Sequence, residues 1–115
     1  MREELRDKER LNHILEAIDN IYEFTKDISF EAFSENKMLR FAVIKNLEIV
    51  GEAANLLTKE LKKQYSEIIW GDITGLRHVL VHGYYEISNK IIWNTIQYDL
   101  KPFKGKIQKI LIEIS

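Results

Sequence analysis

The stretch Asn36 to Leu61, NKMLRFAVIKNLEIVGEAANLLTKEL, decides how the chain folds. Its apolar residues Leu39, Val43, Leu47, Val50, Ala54, Leu57 and Leu61 recur every three or four positions, close to a 3.5-residue repeat over about three heptads. That is the stripe of a long amphipathic helix, and Asn36 is its natural N-cap. Gly51, Ala53 and Ala54 cluster in the middle. Gly costs about 1 kcal/mol against Ala inside a helix, so small residues there mark a close helix–helix approach. Glu52 sits beside this patch with two readings open: a carboxylate at the edge of the stripe, or a partly buried partner for an arginine such as Arg77. The charged run Lys59 to Lys63 reads as a solvated helix end.

Upstream, Leu11, Ile14, Leu15, Ile18, Ile21 and Tyr22 form a second stripe, predicting a helix over roughly residues 3–25. His13 lies off that stripe, as a surface histidine would. Asp27-Ile28-Ser29 breaks the pattern, and Ser29 is placed to open a short helix through Phe33. Downstream, Tyr65 to Gly71 is a connection in which Trp70 should anchor to the core. Asp72 is the expected cap of a third helix carrying Ile73, Leu76, Val79 and Leu80 inward. Gly83 stands where that helix would end, which puts His82 in its last turn and Tyr84 just beyond. Ser88 then caps a last helix with the stripe Ile92, Ile96, Leu100, Phe103, Ile107, Ile110 and Ile114. The phase passes through Pro102 undisturbed, so one bent helix is expected rather than two. Its outer face carries Lys101, Lys104, Lys106 and Lys109, read as solvated lysines or as a track for an RNA backbone.

Four principal helices with short joins predict an all-α, antiparallel up-and-down bundle, a single domain over residues 1–115. Five glycines and one proline leave little turn punctuation for a β-rich alternative, and the composition, 45% hydrophobic and 30% charged, is that of a globular chain. The absence of cysteine excludes disulfides and thiolate metal sites. The alternating charges of Met1 to Arg10 do not make a signal peptide. No apolar run approaches the roughly 18 residues that span a bilayer, so no membrane association is expected and the cytoplasm is the default location. A net charge of −1 supplies no global attraction to nucleic acid; an RNA-directed role would need a local cationic site.

Chemistry concentrates in Arg77-His78-Val79-Leu80-Val81-His82-Gly83-Tyr84-Tyr85. His78 and His82, spaced i, i+4, share a helix face as in zinc sites, but a third ligand from Glu52 or Asp72 is not required by any spacing. Metal-free phosphodiester cleavage needs a group to take the 2′-hydroxyl proton, a group to protonate the leaving oxygen, and a cation for charge developing on phosphorus. Histidine titrates near neutrality, and arginine grips phosphate with a planar fork of donors. On one helix at about 100° per residue, Arg77 and His82 diverge by roughly 140°. A two-fold dimer in which two motif helices meet end to end would bring both pairs into one cleft, and the Gly51/Ala54 surface would ease such an interface. A purely structural reading also stands: the helix dipole stabilises a C-terminal histidine, and tyrosines often plug helix ends.

Arg77-x4-His82-x-Tyr84 matches the R-x4-H-x-Y form of the motif of the HEPN superfamily. With Asn46-Leu47-Glu48-Ile49-Val50-Gly51-Glu52-Ala53-Ala54, Trp70 and the Leu76–Tyr84 segment, the chain resembles the HepT-like toxins of HEPN–MNT toxin–antitoxin pairs along nearly its whole length. The resemblance implies a dimeric helical bundle acting as a metal-independent endoribonuclease toxin of a type VII-like system, needing no cofactor. It implies Arg77 and His82 as the catalytic pair. It further implies a minimal nucleotidyltransferase antitoxin as partner, which neutralises the toxin by transferring AMP to Tyr84. Glu52 and His78 are possible supporting residues, and Tyr85 lies outside the motif. The alternatives are a helical module that binds a nucleotide or the partner without catalysis, and a purely structural subunit.

Overall fold

Four polar side chains fix where the helices begin. The Ser29 hydroxyl accepts from the Ala32 N–H at 3.1 Å, the Asn36 amide oxygen from Leu39 at 2.9 Å, the Thr58 hydroxyl from Leu61 at 3.3 Å and the Ser88 hydroxyl from Lys90 at 3.1 Å. Each bond satisfies one of the amides that a helix start leaves unpaired, a contribution of about 1 kcal/mol per cap. The computed structural model describes residues 2–73 and 88–114, of which residues 2–5 are described by their backbone alone. The elements are α1 (Arg2–Thr25), α2 (Phe30–Glu35), α3 (Lys37–Leu56), α4 (Lys59–Gln64), a helical stretch over residues 70–73, α5 (Asn89–Asn94), a π-helical turn (Thr95–Asp99) and α6 (Leu100–Ile114). No strand occurs among the described residues. Expectation and structure therefore agree on an all-helical chain and on the caps at Ser29, Asn36 and Ser88.

The long helices run antiparallel. Asp7, near the start of α1, bonds Thr58 just past α3, while Asn20, near the end of α1, bonds Asn46 in mid-α3. Likewise Asp19 of α1 meets Lys104 of α6, and Lys26 shares a groove with Gln97 just before α6 begins. Between these helices lie Leu11, Ile14, Ile18 and Ile21 of α1, Val43, Leu47, Val50 and Ala54 of α3, and Ile107 and Ile110 of α6, all buried. These are the residues of the three sequence stripes. A fully buried Leu or Ile contributes about 1.5–3 kcal/mol. The short α2 adds Phe33, with no exposed surface, as the plug between α3 and α5.

Three features depart from the expectation. The stripe from Leu39 to Leu61 is not one helix: α3 ends at Leu56, and Thr58 starts α4. The break is held from a distance by Asp7, whose carboxylate, only 4% exposed, accepts from the Thr58 backbone N–H at 2.9 Å and from its hydroxyl at 2.6 Å. Second, the last helix continues past Pro102, but its irregularity precedes the proline. The turn Thr95–Asp99 is wound as a π-helix, the wider winding that lets Ile92, Ile96 and Leu100, spaced four apart, stay on one buried face. Third, Gly51, Ala53 and Ala54 are buried within the single chain, where α3 packs against its neighbours. The close approach they permit is used inside the bundle, so they do not form the open surface expected for a subunit interface.

Candidate functional site

The expected catalytic and modified residues Arg77, His82 and Tyr84, and with them His78, Leu76, Val79, Leu80 and Gly83, lie outside the described residues. The structure describes the frame on which their segment is hung. On the entry side, Trp70 is 9% exposed; its indole N–H donates to the Tyr65 carbonyl at 3.2 Å, and its ring meets Phe103 of α6 edge-on at 6.4 Å. Tyr65 is also buried, and its hydroxyl donates to the Glu113 carboxylate of α6 at 2.6 Å. That hydrogen bond, with burial and the charges of Glu113 and Glu67 adding in the same direction, holds the phenol neutral up to a pKa of about 12. Trp70 is the core anchor its sequence context predicts. Asp72 is not the cap of the third helix: the chain is already helical at residue 70, and the Asp72 N–H bonds the Ile69 carbonyl at 3.1 Å. Ile73 turns toward the core, as expected.

On the exit side, Ser88 restarts the helix and Trp93 locks it down. The Trp93 ring sits 5.4 Å from Phe33 and 6.0 Å from Phe30, so α5 is fastened to α2 by aromatic contact. Both ends of the 74–87 segment thus attach to the bundle core, one through α6 and the other through α2.

Glu52, the described candidate, is half-buried on α3. It lines a cavity of about 400 Å³ between α1 and α3 with Glu9, Arg10, His13, Lys45 and Glu48. Charges of both signs face each other there; Lys45 and Glu48 approach to 3.8 Å. His13 is exposed, as its place off the stripe implies, and stands in the wall of this cavity. A second groove, of about 470 Å³, runs beside the entry root between Ile69, Asp72 and Ile73 on one side and Tyr98, Asp99 and Lys106 on the other. A third, of about 550 Å³, opens between the end of α1, the π turn and α6. No group of histidines and carboxylates suited to a metal ion occurs among the described residues, which leaves the reading with His78, His82 and Glu52 or Asp72 outside what they describe. No described helix is long and apolar enough to cross a membrane.

Residues 14–110 match the model of a protein family described as ribonuclease HepT-like. The chain is 39% identical over 103 residues to a protein of Thermococcus cleftensis named "Probable ribonuclease HepT", covering 90% of this chain and 94% of that protein. A Methanocaldococcus jannaschii protein named "Putative RNase" is 36% identical over 98 residues, with 85% and 90% covered. A similarly named protein of Caldanaerobacter subterraneus subsp. tengcongensis is 37% identical over 101 residues, with 88% and 90% covered. No solved structure matches. The matched span contains Arg77, His82 and Tyr84 by position.

Proposed function

Since the chain belongs to the HepT-like ribonuclease family of the HEPN superfamily, we propose that it is an endoribonuclease toxin whose catalytic pair is Arg77 and His82. The supporting observation is the R-x4-H-x-Y spacing of Arg77, His82 and Tyr84 inside the family-matched span. His82 takes the proton from a ribose 2′-hydroxyl as that oxygen attacks the adjacent phosphorus. Arg77 donates two hydrogen bonds to the phosphoryl oxygens as their charge grows. The bond to the 5′ oxygen breaks, and that oxygen is protonated by an imidazolium, the partner subunit's His82 in a two-fold dimer. The products are a 2′,3′-cyclic phosphate and a 5′-hydroxyl. No metal takes part in any step.

Regulation follows from the same few residues. A minimal nucleotidyltransferase antitoxin transfers AMP from ATP to the Tyr84 phenol oxygen, with pyrophosphate leaving. The adduct places a bulky anion two residues from His82, where it fills the cationic site and repels an incoming RNA backbone. Purified protein, incubated with RNA in excess EDTA, should yield fragments ending in 2′,3′-cyclic phosphate. Fragments with 5′-phosphate ends, or cleavage that EDTA abolishes, would point to metal-dependent hydrolysis. Intact RNA at high protein concentration, together with measurable nucleotide binding, would favour a non-catalytic binding module. Co-expression with the transferase should shift the intact mass by whole AMP units mapped to Tyr84.

A further inference from the structure

Of the four described cavities, three carry carboxylates in their walls: Glu9, Glu48 and Glu52 in the first, Glu67, Asp72 and Asp99 in the second, and Glu16 in a small one beside Asn20. The groove between the end of α1, the π turn and α6 differs. Its charged lining is Lys26, Lys101 and Lys104, its neutral polar lining includes Gln97 and Gln108, and no acidic residue lines it among the described residues. In a chain of net charge −1, three cations around one concavity are a local concentration of positive field, which the Lys104–Asp19 pair offsets in part and which the catalytic reading does not use.

Packing explains how the lysines come together. The π turn keeps Ile96 buried and sets Gln97 in the wall of this groove, while its neighbours Tyr98 and Asp99 line the separate groove that holds Asp72. Lys101 and Lys104 follow one turn on, and Lys26, just past the end of α1, lines the same groove. The structure also sorts the four lysines of the α6 outer face. Lys109 approaches Glu113 at 4.0 Å, and Lys106 lines the groove that holds Asp72 and Asp99, which leaves Lys101 and Lys104 for the cationic groove. Lys104 is held by Asp19 at 2.6 Å, on the exposed rim.

We propose that the groove of Lys26, Lys101 and Lys104 binds the phosphate backbone of a single-stranded RNA outside the catalytic segment and anchors the substrate strand to the bundle. This inference rests on RNA being the substrate class. Its volume of about 550 Å³ is in the range of sites that enclose a nucleotide-sized ligand. Lysines without base-reading partners grip phosphate and leave sequence unread.

The test is fluorescence anisotropy of the full-length protein with a labelled 2′-O-methyl RNA oligonucleotide, which lacks the attacking hydroxyl and reports binding alone. For single strands the logarithm of affinity falls with the logarithm of salt by about 0.7 per phosphate contact. Neutralising Lys26 and Lys101 together (K26Q/K101Q) should therefore lower the salt slope by about 1.4 and weaken binding about 25-fold at roughly 0.1 M salt. Asp19→Asn, which releases Lys104, should tighten binding about fivefold by the same relation. Replacing Lys59 and Lys63, two exposed lysines of α4, with Gln (K59Q/K63Q) makes an equal change in net charge and should leave affinity within about twofold. Equal losses in the two double variants, no RNA binding by the wild type, or displacement of the oligonucleotide by AMP at equal affinity would each overturn the proposal. A wild type that binds through these lysines yet cuts no RNA would remove the catalytic reading and leave the groove standing. Cleavage with lysine-independent binding would do the reverse.

Discussion

Removing the Asp7 carboxylate should unfasten the joint between α3 and α4. Asp7 is 4% exposed and accepts two hydrogen bonds from Thr58, 51 residues away, at 2.9 and 2.6 Å. Hydrogen bonds to charged groups contribute about 1.5–3 kcal/mol each; Thr58 is partly buried, so the lower figure applies and Asp7→Ala should cost about 3 kcal/mol. Thr58→Ala removes the N-cap as well as the hydroxyl bond, and leaves the buried carboxylate with one donor; it should cost about 2.5 kcal/mol. The two changes share one bond, so the double variant should lose about 4 kcal/mol and the cycle should return a coupling of about 1.5 kcal/mol. Urea unfolding followed by helical circular dichroism, at one fixed protein concentration, measures all four corners. A cost below about 1 kcal/mol for Asp7→Ala, or a coupling near zero, would refute the reasoning, because either would mean that water serves Thr58 as well as Asp7 does.

Two other outcomes follow from single side chains. The Tyr65 phenol is held neutral by Glu113, its pKa raised from 10.0 to about 12; a folded-state value above the unfolded one adds stability that is present below pH 10 and lost as pH rises toward 12. Wild-type stability should therefore fall across that window, and Tyr65→Phe should flatten the fall; an unchanged slope would remove the Tyr65–Glu113 contact from the account. The Tyr22 hydroxyl is shielded from solvent and has no hydrogen-bond partner among the described residues, and burial raises its pKa. Tyr22→Phe should stabilise the protein by about 1 kcal/mol in the same urea assay, and a loss of stability would show that the hydroxyl is satisfied in solution.

Most of the helical plan was legible because local signals and packing agree. The stripes of α1 and α6 repeat at helical spacing, and Ser29, Asn36 and Ser88 are caps in sequence and in structure. What escaped the sequence reading depends on distant partners. Thr58 ahead of Lys59 and Glu60 is a fair cap signal, yet Leu57 and Leu61 continue the upstream stripe in phase, and the deciding group, Asp7, belongs to another helix. The π turn left a trace in the spacing of Ile92, Ile96 and Leu100, four apart and then four again, a drift that α-helical winding would rotate off the buried face. Gly51 and Ala54 announced a close approach correctly but not its partner, since small residues suit a neighbouring helix and a second subunit equally. At the site, Arg77, His82 and Tyr84 were legible as a spaced motif. The roots of their segment were legible only in part: Trp70 stands out as a lone large aromatic, whereas the pairing of Tyr65 with Glu113 spans 48 residues and leaves no local sign.

Central to the proposed function is that Arg77 and His82 act as a catalytic pair on RNA. The most direct measurement is the initial rate of RNA cleavage by wild type, Arg77→Ala and His82→Ala, each checked for an unchanged unfolding curve. Loss of a positioned acid–base group should lower the rate by about 10²–10⁴-fold in His82→Ala, with a comparable loss in Arg77→Ala. A folded His82→Ala protein that cuts RNA at the wild-type rate would contradict it.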